Sequence, residues 1–427
     1  MNITELKRRV CDAIDKNADK IVEFGERVLN KPEMGYREFE TSALIKACFD
    51  ELGIPYRDKL AVTGVKGVLK GKESRATVAV IGEMDAVTCA THPTADPVSG
   101  AAHACGHNAQ IAAMLGSAIG LSAIKGELDG DVCFFAVPAE EFVEIGFREK
   151  LRERGDIEFF GGKQELIRIG EFDDIDMAMM VHAQGNCTEN TVCLDGGGIG
   201  FVAKTIDFIG KAAHAGGAPH EGINALNAAM AAMMCIHAQR ETFRDEDKIR
   251  VHPIITNGGE LVNVVPALVT METYVRGATS GAIADAAMKV DRAIKGACMA
   301  IGADCEIKNY KGYLPLVQSP ALSLIYERNT KNLPEPPTVR RDVDMTGSTD
   351  IGDLGHIRPI IQPTVGGFAG NLHAVEFKIA DKVRAYIDPA KTMAMTVIDL
   401  LANGAAEALS VKESFKPLMT KEEYLKF

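Results

Sequence analysis

Two absences narrow the field before any motif is read. There is no basic excess: 47 Lys and Arg stand against 59 Asp and Glu, a net charge of -12 over 427 residues. A chain of that sign has no cationic footprint to grip a phosphate backbone, so no nucleic-acid partner is expected. There is also no long apolar run. The longest, near 228–236, is too short to cross a bilayer, and the first 20 residues carry charge where a signal peptide would have an apolar centre. No membrane partner is expected, and the expected location is cytoplasmic. No internal repeat or low-complexity segment appears. The ten cysteines lack the spacing of a small disulfide framework and read as reduced thiols.

What is present suits a globular protein. Hydrophobic residues at 46% and charged residues at 25% can supply a sizeable core. The length exceeds one ordinary core, which favours two domains. Apolar residues recur at helical spacing over 6–29 and 39–52, the latter stopping at Gly53, and 76–81 reads as a buried strand running into Gly82-Glu83-Met84-Asp85. A helix is predicted over 109–125. A strand over 132–137 ends at Pro138-Ala139-Glu140-Glu141, and an apolar stretch over 177–181 delivers His182. This alternation is that of an α/β fold, in which ligands gather at the carboxyl ends of strands. After Gly196-Gly197-Gly198 the pattern changes to strands with helices over 223–239 and 283–301. We therefore expect a catalytic domain of residues 1–199 and 314–427, with a satellite domain of 200–313 inserted in it. A last helix should run from a cap at Asp388, with Pro389 in its first turn, to about residue 409.

Several residues could carry chemistry. Cys105 and His107, two apart at a loop leading into a helix, can face one ion, and a thiolate with an imidazole suits zinc, manganese, cobalt or nickel. The alternative is a buried thiol beside a structural histidine. Glu140 and Glu141 are adjacent acids at a strand end, where two carboxylates need a metal, a cationic partner or open water. Leaving the strand on different sides, one could ligate while the other moves a proton. His182 and His373 are further candidate ligands, although a lone histidine is more often structural. Their joint appearance at strand ends and in glycine-rich loops favours a site.

The chain resembles the amidohydrolase branch of the M20 metallopeptidases, the aminoacylase-, hippurate- and aminobenzoyl-glutamate hydrolase-like proteins. The resemblance runs nearly end to end. It rests on Pro32-Glu33-Met34-Gly35 with Glu38 and Thr41, Met84-Asp85-Ala86, His103-Ala104-Cys105-Gly106-His107, Pro138-Ala139-Glu140-Glu141 and Val181-His182. It continues through Gly210-Lys211-Ala212-Ala213-His214-Ala215, Pro219-His220, Asn263-Val264-Val265-Pro266, Arg276-Gly277, Gly347-Ser348-Thr349-Asp350 and Leu372-His373. It implies a zinc-peptidase-like α/β catalytic domain, with a central mixed sheet flanked by helices, and an inserted α+β dimerisation domain. Cys105, His107, Glu141, His182 and His373 would hold one or two divalent transition-metal ions, zinc or manganese first, cobalt or nickel as alternatives. Glu140 would be the general base, and Asp85 would support the metal site. His214 would reach across a homodimer interface to stabilise an oxyanion. Asn263 and Arg276 would grip the carboxylate of a small-molecule substrate.

The implied reaction is hydrolysis of the amide bond in an N-acyl or N-aroyl amino acid or a dipeptide-like compound. Hydrolytic deamination of an aromatic amine by the same site is the alternative, and a non-catalytic binding protein on the same fold is another. The chain departs from the family pattern at Asn108, where an acid is usual, at Gln110, where a histidine is usual, and at Thr349, where Glu is commoner. The stretch between Glu141 and His182 is longer than usual, with the surplus at roughly 142–160. This surplus mixes apolar residues with Arg148, Lys150, Arg152 and Arg154, and predicts an amphipathic helix beside the active site, either lining the substrate pocket or lying on the solvated surface.

Overall fold

The computed structural model describes residues 2–426. It divides into two compact units. One comprises Met1–Gly197, Val317–Asp344 and Asp350–Phe427, and the other Gly198–Leu316 and Met345–Thr349.

The first unit is built on a six-stranded mixed sheet, in the order Tyr56–Leu60, Gly64–Leu69, Asp131–Val137, Thr77–Glu83, Met177–Met179, Ile360–Ile361. Thr77–Glu83 is central and runs parallel to both Asp131–Val137 and Met177–Met179. Its residues from Val78 to Glu83 are buried, as is all of Asp131–Val137, which is why both read as continuous apolar runs without alternation. Parallel pairing sets their carboxyl ends side by side, so Glu83, Asp85 and Glu140-Glu141 emerge at one edge.

Behind the sheet lies the helix His107–Ser122, buried from His107 to Leu121. A helix enclosed on all sides needs small residues where others cross it. A Cβ on Gly120 would lie 2.8 Å from Ile14, and one on Gly116 2.8 Å from Ala390. These are its crossings with the helices Ile3–Lys16 and Asp388–Leu401. A second, four-stranded sheet orders Thr338–Arg341, Thr191–Leu194, Thr364–Val365 and His182–Ala183.

The second unit has an antiparallel sheet ordered Arg250–Val251, Leu268–Gly277, Gly200–Ile209, Asp304–Lys311, with Ile254–Asn257 also paired to Leu268–Gly277. The helices Ala225–Ala238 and Ser280–Ile301 pack on it. Burial alternates along Leu268–Gly277, with Val269, Met271 and Val275 inside and Glu272, Tyr274 and Arg276 on the other face.

The architecture is the expected α/β catalytic body with a central mixed sheet, together with an α+β unit. Local differences have physical causes. The single helical stretch expected over 6–29 is two helices, Ile3–Lys16 and Ala18–Leu29, parted at Asn17, whose side chain bonds the Ala13 carbonyl. Asp388 is the first residue of its helix and not the cap, because a π turn over Val383–Ile387 leads directly into it. That helix stops at Leu401, where Gly404 in the left-handed region (φ 74°) breaks it from Ala406–Ser414. No single helix among the described residues is long and apolar enough to cross a membrane.

Candidate metal centre

Each ligand candidate in the first unit is held by its backbone. Gly106 adopts φ 84°, and a Cβ there would stand 2.7 Å from that of Ala183, so only glycine turns the chain from Cys105 into the helix starting at His107. Before Glu140, Ala139 takes φ 52°, a conformation uncommon outside glycine, and its N–H donates to Glu38 Oε1 at 2.8 Å. Glu38 is fully buried and also accepts from Thr63 at 2.5 Å, so it braces the turn. His182 opens a strand paired with Thr364. His373 has φ 62°, and its N–H donates to the Ala104 carbonyl at 2.8 Å, which ties its loop to the Cys105 turn.

The side chains converge on Cys105. Its Sγ lies 3.5 Å from His182 Nε2 and 3.2 Å from His373 Nε2, and His373 Nε2 is 3.0 Å from Glu141 Oε1. Two groups of donor atoms share the sulfur: Cys105 with His107 and His182, and Cys105 with Glu141 and His373, every donor within 4.8 Å of the others in its group. These are the five ligands expected from sequence, brought together. A third group joins Glu83, His107 and Glu140.

Donor chemistry and orphaned atoms test whether these residues fit a metal. His107 Nδ1 is 2.8 Å from the Asp85 carbonyl oxygen and His182 Nδ1 is 2.9 Å from that of Ala183, contacts that place N–H on Nδ1 and leave Nε2 for an ion. His107 Nε2, fully buried, has no hydrogen-bond partner. Buried polar atoms without partners are costly, and an ion would satisfy them. One thiolate, three imidazoles and a carboxylate suit zinc, manganese or cobalt better than calcium or magnesium, so the residues fit the implied metal. Asp85 steadies the arrangement: its Oδ2 accepts from the Glu141 N–H at 2.8 Å, and Oδ1 lies 3.4 Å from His107 Nδ1.

The charges are strongly perturbed without an ion. Burial opposes ionisation of Cys105, yet His182 and His107 drive its thiol well below the usual range. His107 is raised against its own burial by Glu83 and Cys105, and His182 by Cys105. Hydrogen bonds to Cys105 and Glu141 push His373 up to about 11. Burial opposes the charge on Asp85 too, but His107 and the Glu141 and Glu140 N–H groups hold it at about 2. Burial and then the charge of Glu83 push Glu140 well above the carboxylate range.

The remaining sequence candidates lie in the second unit. His214 is exposed, and its Nδ1 accepts from the N–H groups of Gly216 (3.1 Å) and Gly217 (2.9 Å). The exposed Asn263 lies on the neighbouring loop, its carbonyl accepting from Ala215 N–H at 2.9 Å. Arg276 donates to Ser348 Oγ at 2.9 Å and faces the rings of Tyr274 and Phe201.

Asn108 and Gln110, where the sequence departs from the family pattern, are both buried. Asn108 bonds Gly25 O and Tyr386 Oη, whereas Gln110 bonds Glu83. The predicted helix in the long segment forms over Ile145–Glu153, but Arg148 belongs to its buried face. The Arg148 guanidinium donates to Phe160 O at 2.6 Å and to Glu141 O, and it faces the Tyr36 and Phe142 rings. Sequence reasoning missed Glu83 and Lys163. Glu83 closes an apolar strand just before Asp85, a visible signal, but nothing local marks Lys163 among its neighbours.

Comparison with known proteins decides the family. Residues 79–398 match the family described as Peptidase family M20/M25/M40. The chain belongs to this family. Among curated relatives, the mouse (Mus musculus) Xaa-Arg dipeptidase is 27% identical, over 98% of this chain and 94% of that protein. Among solved structures, an aminohydrolase from methicillin-resistant Staphylococcus aureus superposes with a TM-score of 0.75 at 22% identity, covering 92% of this chain and 100% of that one. A Bacillus subtilis M20 protein described as a dinuclear metal-binding peptidase superposes with a TM-score of 0.68 at 20% identity, covering 90% and 98%. This M20 chain is a metal-dependent hydrolase of carbon–nitrogen amide bonds.

Proposed function

We propose that the protein hydrolyses the amide bond of an N-acyl or N-aroyl amino acid or a dipeptide-like compound, at a centre of one or two transition-metal ions held by Cys105, His107, Glu141, His182 and His373. The observation that carries this reading is the sharing of the Cys105 sulfur between two ligand groups directly beside Glu140. Bound divalent ions would supply Lewis acidity, polarising the carbonyl and making water a stronger acid. Glu140 is buried, adjacent to Glu141 and within 4.8 Å of the His107 donor. As general base it takes a proton from the attacking water and passes it to the departing amine. Asp85 keeps His107 and the Glu141 backbone in place.

His214, exposed and with Nδ1 held by two backbone amides, would serve the oxyanion of a partner subunit in a homodimer. Asn263 and Arg276 would bind the substrate's carboxylate, the guanidinium offering a planar fork. The relative known as Xaa-Arg dipeptidase, matched along nearly the whole chain, makes dipeptides the first substrates to try. Ten free thiols suit a reducing cytoplasm. The test is a panel of N-acyl amino acids, dipeptides and aromatic amines. Release of free amino acid supports the reading, whereas release of ammonia from the amines alone would replace it with hydrolytic deamination.

A further inference from the structure

Behind His107 lies a polar cluster outside the five ligands. Glu83, Lys163 and Asp350 are each fully buried. Lys163 Nζ donates to Glu83 Oε1 and to Asp350 Oδ1, both at 2.5 Å, and the Lys163 backbone N–H donates to Asp350 Oδ2 at 2.8 Å. Gln110 closes the other side. Its Nε2 donates to Glu83 Oε2 at 2.7 Å, and its Oε1 accepts from the Glu83 N–H at 3.2 Å. The position of Lys163 is itself fixed, because Gly162 N–H donates to Ala139 O at 3.0 Å and sits so close that a Cβ would stand 1.7 Å from Pro138 O. Both oxygens of Glu83 are therefore clamped by groups tied to the strand ends around the site.

The clamp aims Glu83 at an ion-facing atom. Its Oε2 stands 3.2 Å from His107 Nε2, yet that nitrogen has no hydrogen-bond partner. A neutral His107 with its proton on Nδ1 would turn the Nε2 lone pair toward a carboxylate oxygen at close range, an approach that either a second ring proton or a bound cation makes favourable. Glu140 brings a third donor within 4.8 Å of the other two. Two carboxylates sharing one buried ammonium leave negative charge over, and an isolated buried charge of that kind calls for a further cationic neighbour.

We propose that Glu83 is an additional acid of the metal centre, its charge acting on the cation that His107 holds, and that Lys163 and Gln110 are positioning residues that aim it. Gln110 thus has a role here at a position where the family resemblance leads one to expect histidine. The inference rests on the metal reading of the preceding subsection.

The experiment compares the full-length wild-type protein with Glu83→Gln and Gln110→Ala. Dissociation constants for Mn2+ and Zn2+ are measured by chelator competition, visible bands are recorded with Co2+ bound, and thermal unfolding is followed in the metal-free state. Glu83→Gln removes the charge at constant size, and Gln110→Ala removes only one clamp. The expected result is metal binding weakened about tenfold or more in Glu83→Gln, in line with losses seen when groups supporting a metal site are removed. Gln110→Ala should show a smaller loss, and the Co2+ bands should shift in both. Folded variants with wild-type affinities and unchanged Co2+ bands would overturn the inference and leave Glu83 as a structural ion pair. Should Glu83→Gln fail to fold, Gln110→Ala decides alone by the same criteria. A wild-type protein that takes up neither Mn2+ nor Zn2+ would overturn the metal reading, and this inference with it.

Discussion

His373 Nε2 stands 3.2 Å from Cys105 Sγ across 268 residues of sequence, and the His373 backbone N–H is bonded to the carbonyl of Ala104 next door. The C-terminal loop is therefore latched to the Cys105 turn at both backbone and side chain. Cys105 belongs to both groups of three donors, so Cys105→Ala should lower metal content more than His373→Ala, which affects one group. Elemental analysis of the purified variants checks this order.

Replacing Glu140 with glutamine removes the proton carrier and leaves the five ligands in place. The expected outcome is wild-type metal content with turnover reduced by at least about 100-fold, the usual scale of general-base catalysis. Steady-state kinetics alongside metal analysis read the two quantities separately. Unchanged turnover would remove Glu140 from the role.

Metal affinity should depend steeply on pH. In the metal-free protein His373 is raised to about 11 by Cys105 and Glu141, so below that value it carries a proton that an ion must displace. Cys105 is held well below the usual thiol range by His182 and His107. Affinity should therefore rise with pH below the His373 value, by about tenfold per unit for each proton an ion displaces from the ligand histidines. Isothermal titration in buffers of different ionisation enthalpy counts the protons released.

Arg148→Met leaves the carbonyls of Glu141 and Phe160 without their buried donor. We expect a loss of about 2–4 kcal/mol, from two charge-assisted bonds partly offset by retained packing. Denaturant unfolding of the metal-free protein measures it. Because Glu141 is a proposed ligand, metal binding should weaken in the same variant.

Much of this was legible in the sequence because parallel strands buried on both faces read as plain apolar runs, and the acids and histidines that follow them stand out. The helix over 39–52 and its stop at Gly53 show directly, since Gly53 takes the left-handed conformation that ends a helix. Less visible were groups whose role depends on distant partners. Arg148 looks like one member of a surface charge run, and only the fold shows its guanidinium enclosed between two rings and two carbonyls. Lys163 meets Glu83 and Asp350 across separations of 80 and 187 residues, which no local pattern encodes. The helix break after Leu401 was missed because Gly404 reads as a tolerated glycine within an otherwise helical stretch.

The most direct test of the central claim is the release of free amino acid from an N-acyl amino acid or dipeptide, before and after the protein is stripped with a chelator and reloaded with Mn2+ or Zn2+. Hydrolysis should disappear on stripping and return on reloading in the wild-type protein, and should not return in Cys105→Ala. Hydrolysis that survives complete removal of metal would contradict the claim.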